Sequence, residues 1–349
     1  MRRQAVPLLF LVLCAFGIAV AHIRPSFLAG EILARFGRNA VLVLSLVIPI
    51  RAGLGLNFGI VVGAMAGQIG AMLAVHWGLA GPGGLAAAAL LATPLAVLFG
   101  WLVGRLLNLA KGREMVTSMI AGFFANGVYQ LVFLFLLGSL LPFRNEAMVL
   151  PQGYGLRNTI DLTAIQYAVD DLFPVKVLLF GAVVRVPVAT VLLTGLVCGM
   201  ILFVLRSKLG QELLAMGHDP DVASVAGIPV NQNRVVAVVL STVLAAWGQL
   251  LFLQNLGTLN TYSSHEQVGM FAIAAILVSG ATVRKATVAQ ALVGTLLFHT
   301  LFVVSPLAGK ALAGDAQIGE YFRSFVAYAV ITVALVIHAW QDARRRRAA

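Results

Sequence analysis

Apolar residues run along this chain in long unbroken stretches, separated by short polar or glycine-rich punctuation. A helix crossing the hydrocarbon core of a bilayer needs about 20 apolar residues. Ten candidate stretches are present: residues 6–22, 40–51, 53–77, 84–104, 115–141, 186–205, 235–255, 267–283, 286–305 and 321–340. They are continuous rather than alternating, which predicts helices and not a β-barrel. The second stretch is short and merges with the third, and Pro49 predicts a break or a half-span there. The pattern therefore predicts an all-α polytopic membrane protein of about ten transmembrane helices, with residues 1–349 forming one transmembrane domain.

Composition sharpens this. Hydrophobic residues make up 60% of the chain and charged residues 11%, against about 45–50% and about 25% in soluble domains. A soluble fold of this size could not hide so much apolar surface. Two cysteines, Cys14 and Cys198, both in apolar stretches, exclude a disulfide scaffold. The net charge of +11 would suggest nucleic acid in a soluble protein. Here the basic residues sit at the ends of apolar runs, with no aromatic-interleaved basic patch, so no nucleic-acid partner is expected. The 24 basic residues divide 15 to 9 between alternate sets of loops. The richer set includes Arg2, Arg3, Arg113, Arg206 and Arg344–Arg347, and Arg35 and Arg38 fall in the other. The richer set is expected on the cytoplasmic side, which puts both termini inside a bacterial inner membrane. Arg2-Arg3, an apolar run and Ala19-Val20-Ala21 imitate a cleavable signal. An uncleaved first helix is the preferred reading, because nine further segments follow.

Two loops exceed what a connector needs. Residues 142–185 are expected outside and hold several prolines and glycines with Asp170-Asp171. Residues 206–234 are expected in the cytoplasm. Ser207 to Gly217 suits a short amphipathic helix that Gly217 can end. Asp219, Pro220 and Asp221 suit the cap and first positions of a second helix. That helix is expected to run to about Ala226, where Gly227 stops it.

This loop resembles the coupling segment of permease subunits of ATP-binding-cassette importers, in the branch handling simple sugars, nucleosides and branched-chain amino acids. The matching residues are Arg206, Gly210, Ala215, Gly217, Ala223, Gly227 and Ile228. Other segments are similar to the same family in order and spacing: Ala52–Gly59 (AGLGLNFG) with Gly67-Gln68, Arg113–Met119 followed by Asn126, and Ala272–Gly280. Nucleoside-type members usually carry an acidic residue before the Gly-Gln pair, where this chain has Ala66. The resemblance implies coupling to an ATPase through Gly210, Ala215, Gly217, His218, Asp219, Ala223 and Gly227. It implies a second permease subunit, same or homologous, two ATPase subunits that handle ATP and Mg, and an extracytoplasmic solute-binding protein. It also implies an inverted repeat, spans two to five against seven to ten. An interfacial helix lying on lipid headgroups is the alternative reading of the loop, but His218, Asp219 and Asp221 do not suit an anionic leaflet.

Residue types inside the spans suggest a pathway. Gly55, Gly59, Gly63 and Gly67 recur every four residues and suggest a close-packing stripe. Asn57 and Gln68 are amides that need partners inside a membrane. Phe123, Asn126 and Gln130 fall on one helix face and suit a neutral polar ring, although interhelical hydrogen bonding explains the amides equally well. Gln249, Gln254, Asn255, His265, Glu266 and Gln267 gather near the outer ends of two spans, with Glu266 read as a helix-start residue. His299 reads as a packed, hydrogen-bonded histidine. No metal-ligand spacing, no catalytic constellation around Ser45, Ser118 or Ser279, and no phosphate loop is present. The chain itself is thus expected to be neither an enzyme nor a cofactor carrier. No carboxylate falls mid-span, which argues against a proton- or sodium-driven carrier and for a neutral polar solute such as a nucleoside or sugar.

Overall fold

The computed structural model describes residues 5–140, 145, 148–315 and 317–325, with 328–329, 331–333 and 336 beyond. It is mostly helical, at 72%. The helices are α1 (Ala5–Ala21), α2 (Pro25–Leu44), α3 (Val47–Arg51), α4 (Ile60–His76), α5 (Gly81–Leu109), α6 (Glu114–Leu131), α7 (Val188–Arg206), α8 (Lys208–His218), α9 (Pro220–Val225), α10 (Val230–Leu256), α11 (Glu266–Val278) and α12 (Val288–Ala313). Among the described residues, six helical segments are long and apolar enough to cross a membrane, and Val6–Ala21, Ile60–His76 and Glu266–Val278 are shorter apolar helices. The expected tenth span, 321–340, lies largely outside the described residues.

Several boundaries differ from the hydropathy reading, each for a physical reason. The stretch read as 40–51 is the end of a longer helix that begins at Pro25. Glu31, Arg35 and Arg38 depress hydropathy there, yet each has a side-chain partner: Arg35 pairs with Glu31 one turn away at 3.3 Å, and Arg38 donates from Nη1 to Asn255 at 3.2 Å. The break falls at Ser45-Leu46 rather than at Pro49. Pro49 occupies the first turn of α3, where a missing N–H costs little. Residues 52–59 are not helical, so Gly55 and Gly59 leave the expected glycine stripe. Gly55 instead has a φ of 75° in the connection to α4.

The remaining glycines of α4 set the centre of the molecule. A Cβ on Gly63 would lie 2.4 Å from the Thr242 carbonyl oxygen of α10, and one on Gly67 2.5 Å from that of Ala246. A Cβ on Gly70 would meet the Ala88 oxygen of α5 at 2.4 Å. Backbone thus packs on backbone, which holds α4, α5 and α10 together without a hydrophobic force between apolar helices. The long spans α10, α12 and Pro25–Arg51 are mostly buried in the chain, whereas α5, α6 and α7 expose most of their apolar surface. Phe123 and Phe124 of α6 are 70% and 74% exposed, the character of a surface that meets lipid or another subunit.

The expected all-α reading needs one correction: the 142–185 region contains strands. β2 (Pro174–Leu179) and β3 (Ala182–Pro187) form a hairpin with Val175 opposite Val186. Phe180-Gly181, both at positive φ, make its two-residue turn. β1 (Thr159–Asp161) pairs antiparallel with β4 (Thr258–Asn260), Ile160 opposite Leu259. That pairing ties the loop to the end of α10, whose last turn is closed by Gly257 at a φ of 70°.

Candidate functional site

α4, α6 and the start of α11 bring together a buried polar cluster centred on His265. Its Nδ1 lies 2.7 Å from Gln68 Oε1, and its Nε2 lies 2.8 Å from Asn126 Oδ1. Asn126 Nδ2 donates to Glu266 Oε1 at 2.8 Å, and Gln130 Nε2 reaches Asn126 Oδ1 at 3.5 Å. Gln68 and His265 are fully buried. Tyr129 lies against the imidazole at 4.8 Å between ring centres and stacks on Phe133 at 4.3 Å. A neutral imidazole donates from one nitrogen and accepts at the other. Asn126 commits its NH2 to Glu266, so Nε2–H donates to Asn126 Oδ1. Nδ1 then accepts from Gln68 if that amide is turned, which also gives a partner to Gln68 Nε2, otherwise buried without one. Nearby, Gln249 Nε2 donates to the Ser264 carbonyl at 3.3 Å while its Oε1 is unpartnered.

Gln68, Asn126 and Gln130, three of the residues singled out in the sequence, therefore meet in one cluster. Asn57 and Phe123 do not join it. Asn57 precedes α4, in the non-helical connection before Ile60. Its Oδ1 accepts from Gly59 N at 2.9 Å, an Asx turn that starts the helix. Phe123 projects from α6 and is 70% exposed. The residue the sequence undervalued is His265, whose partners lie 139 and 197 positions away. Glu266 does begin α11, as expected, but it also accepts the Asn126 amide. His299 departs from its reading as a hydrogen-bonded histidine: Nδ1 is buried without a partner.

At the other end of the bundle, α8 and α9 follow the local sequence closely. Ser207 caps α8 by accepting from Gly210 N at 3.3 Å. Asp219 caps α9 by accepting from Asp221 N and Val222 N at 2.9 and 3.1 Å, with Pro220 next in line. Gly227, at a φ of 81°, follows α9. Gly217 differs from expectation, because α8 continues through His218. Its role is contact: a Cβ there would lie 2.2 Å from the Arg51 carbonyl oxygen and 3.1 Å from Gly53 N. Gly210 is equally constrained, its Cβ position lying 2.2 Å from the Val204 oxygen. Leu213, Met216 and Ala223 are buried and root the two helices. Ala215, His218, Asp219, Val222 and Val225 stay exposed.

Polar contacts run from this knob into the bundle. Asn233 of α10 donates to Glu212 of α8 at 2.8 Å. The adjacent Arg234, 8% exposed, pairs with Glu114 at the start of α6 at 2.7 Å and donates to Asn108 Oδ1 at 2.8 Å. Phe58 N donates to Ser118 Oγ at 3.1 Å, joining the connection before α4 to α6 as well. α6 thus carries the Arg234 partner at its start and Asn126 and Gln130 further along.

No curated protein and no solved structure matches the chain. A family model described as branched-chain amino acid transport system / permease component matches residues 28–335. That match covers most of the sequence and agrees with a multi-pass membrane protein, and the chain belongs to this family of ATP-binding-cassette importer permeases.

Proposed function

We propose that the chain is the membrane subunit of an ATP-driven importer and works by alternating access. The observation that carries the reading is the continuity between the capped α8–α9 knob and the polar cluster. Glu212–Asn233, Arg234–Glu114 and the length of α6 connect them. In this reading residues 206–234 face the cytoplasm and meet an ATPase subunit, which binds ATP and Mg. Residues 142–185 face outward and meet a solute-binding protein, both termini are cytoplasmic, and a second permease subunit covers the exposed face of α6. An inverted repeat relates spans two to five to spans seven to ten. ATPase closure tilts α8, and α6 moves with it.

Gln68, Asn126 and Gln130, organised by His265, offer a solute both donors and acceptors without a fixed net charge on the amides. That suits a neutral polar molecule, such as a nucleoside or simple sugar. The test is purification of the tagged chain from native membranes in mild detergent. A stoichiometric partner with vanadate-sensitive ATP hydrolysis is expected. A lone chain whose transport stops with a proton uncoupler and ignores vanadate would replace this reading with a secondary carrier.

A further inference from the structure

A cavity of about 490 Å³ lies where the end of α1 and the start of α2 meet the end of α12. Ile23, Phe27 and Leu307 give it apolar walls, and Arg24 and Lys310 are the only polar side chains that line it. It shares no residue with the His265 cluster or with the α8–α9 knob.

The two cations lack a counter-charge. Neither is in an ion pair among the described residues, and no carboxylate lines the cavity. The acidic residues nearest to them in sequence are engaged elsewhere: Glu31 pairs with Arg35 at 3.3 Å, and Asp315 accepts from Gln317 N at 2.7 Å. Their place along the helices is equally informative. The apolar helix α1 ends at Ala21, three positions before Arg24, and Lys310 stands in the last turn of α12. Cations at the ends of apolar spans sit at the level of lipid headgroups. On the apolar side of that level α1 exposes Leu11, Val12 and Phe16, and Phe27 in the cavity wall is 50% exposed. Two unpaired cations at the rim of an apolar cavity, beside apolar surface, mirror the layout of an anionic phospholipid.

We propose that this cavity holds an anionic phospholipid, with its phosphate between Arg24 and Lys310 and an acyl chain along Ile23, Phe27 and Leu307. Basic pockets between transmembrane helices bind such headgroups. A headgroup that also carries an amine would bring a third cation to the pair and fit less well. The site goes beyond the transport reading and does not depend on which solute is carried.

The experiment is native mass spectrometry of the delipidated full chain released from mild detergent. The probes are phosphatidylglycerol, phosphatidylethanolamine with the same acyl chains, and glycerol phosphate. One saturable phosphatidylglycerol adduct is expected, with phosphatidylethanolamine about fivefold weaker and no glycerol phosphate adduct. Arg24→Gln and Lys310→Gln are each expected to weaken phosphatidylglycerol by about fivefold. The double variant Lys176→Gln, Arg185→Gln removes the same kind of charge from facing positions of the β2–β3 hairpin and is expected to leave binding unchanged. Melting curves identify variants that fail to fold. If Arg24→Gln is one of them, Lys310→Gln carries the test, because Lys310 is exposed. Equal binding of the two lipids, saturation by glycerol phosphate alone, wild-type binding in the Arg24 and Lys310 variants, or an equal loss in the hairpin variant would each overturn the proposal.

Discussion

Gly217→Ala inserts one methyl group where α8 touches the end of α3. The added Cβ would lie 2.2 Å from the Arg51 carbonyl oxygen, whereas ordinary contact begins at 3.4 Å. The shortfall of about 1 Å falls against backbone on both sides, so no side-chain rotation relieves it. Gly53 cannot yield, because its own φ of 78° fixes the facing turn and its Cβ position lies 2.8 Å from Gly217 Cα. α8 must therefore shift away from α3 by about 1 Å, at an overpacking cost of about 1–3 kcal/mol. The Glu212–Asn233 bond, 2.8 Å long, would stretch beyond hydrogen-bonding range with a shift of that size. The assay is solute-stimulated ATP hydrolysis and uptake in proteoliposomes containing the partner subunits. Uptake per ATP hydrolysed is expected to fall severalfold while the assembled complex is retained. Gly199→Ala in α7, where a Cβ meets nothing within 4 Å, is the matched control. Normal coupling in Gly217→Ala would refute the idea that this contact transmits motion.

Other outcomes follow from the same geometry. Asn126→Leu removes the acceptor for His265 and the donor to Glu266, and should reduce solute affinity or rate by tenfold or more, on the order of 1–3 kcal/mol; unchanged uptake kinetics would remove the cluster from the pathway. Arg234→Met leaves Glu114 uncompensated in a mostly buried site and should lower unfolding stability by about 3 kcal/mol, with Glu114→Gln in the same chain restoring part of the loss. Asp219→Ala leaves two N–H groups of α9 without their cap and should cost about 1 kcal/mol locally. Hydrogen exchange over residues 220–226 would report it as faster exchange, and unchanged rates would show that the cap is dispensable.

What the sequence determined by itself was local or statistical. Lipid as the principal solvent followed from composition, because so few charges cannot cover a soluble surface of this size. The start of α9 was legible residue by residue, since capping by Asp219 involves atoms two or three positions apart, whereas the Ser207 cap of α8 and its end at His218 were not read. Hydropathy missed α2 before residue 40, because Arg35 and Arg38 count as polar wherever they stand. Only their partners Glu31 and Asn255 make a helix there acceptable. The strands of the 142–185 region were missed as well, because a three-residue strand such as β1 gains its stability from pairing with β4, about a hundred residues away. Tertiary structure alone decided which polar residues belong together. Gln68, Asn126 and His265 lie on three separate elements, and no spacing rule relates positions 139 and 197 residues apart. It also decided the meaning of the glycines: Gly63 and Gly67 face α10, Gly217 faces α3, and Gly55 shapes a turn. A glycine in sequence shows only that a side chain is missing; the neighbour that occupies the space exists only once the helices have packed.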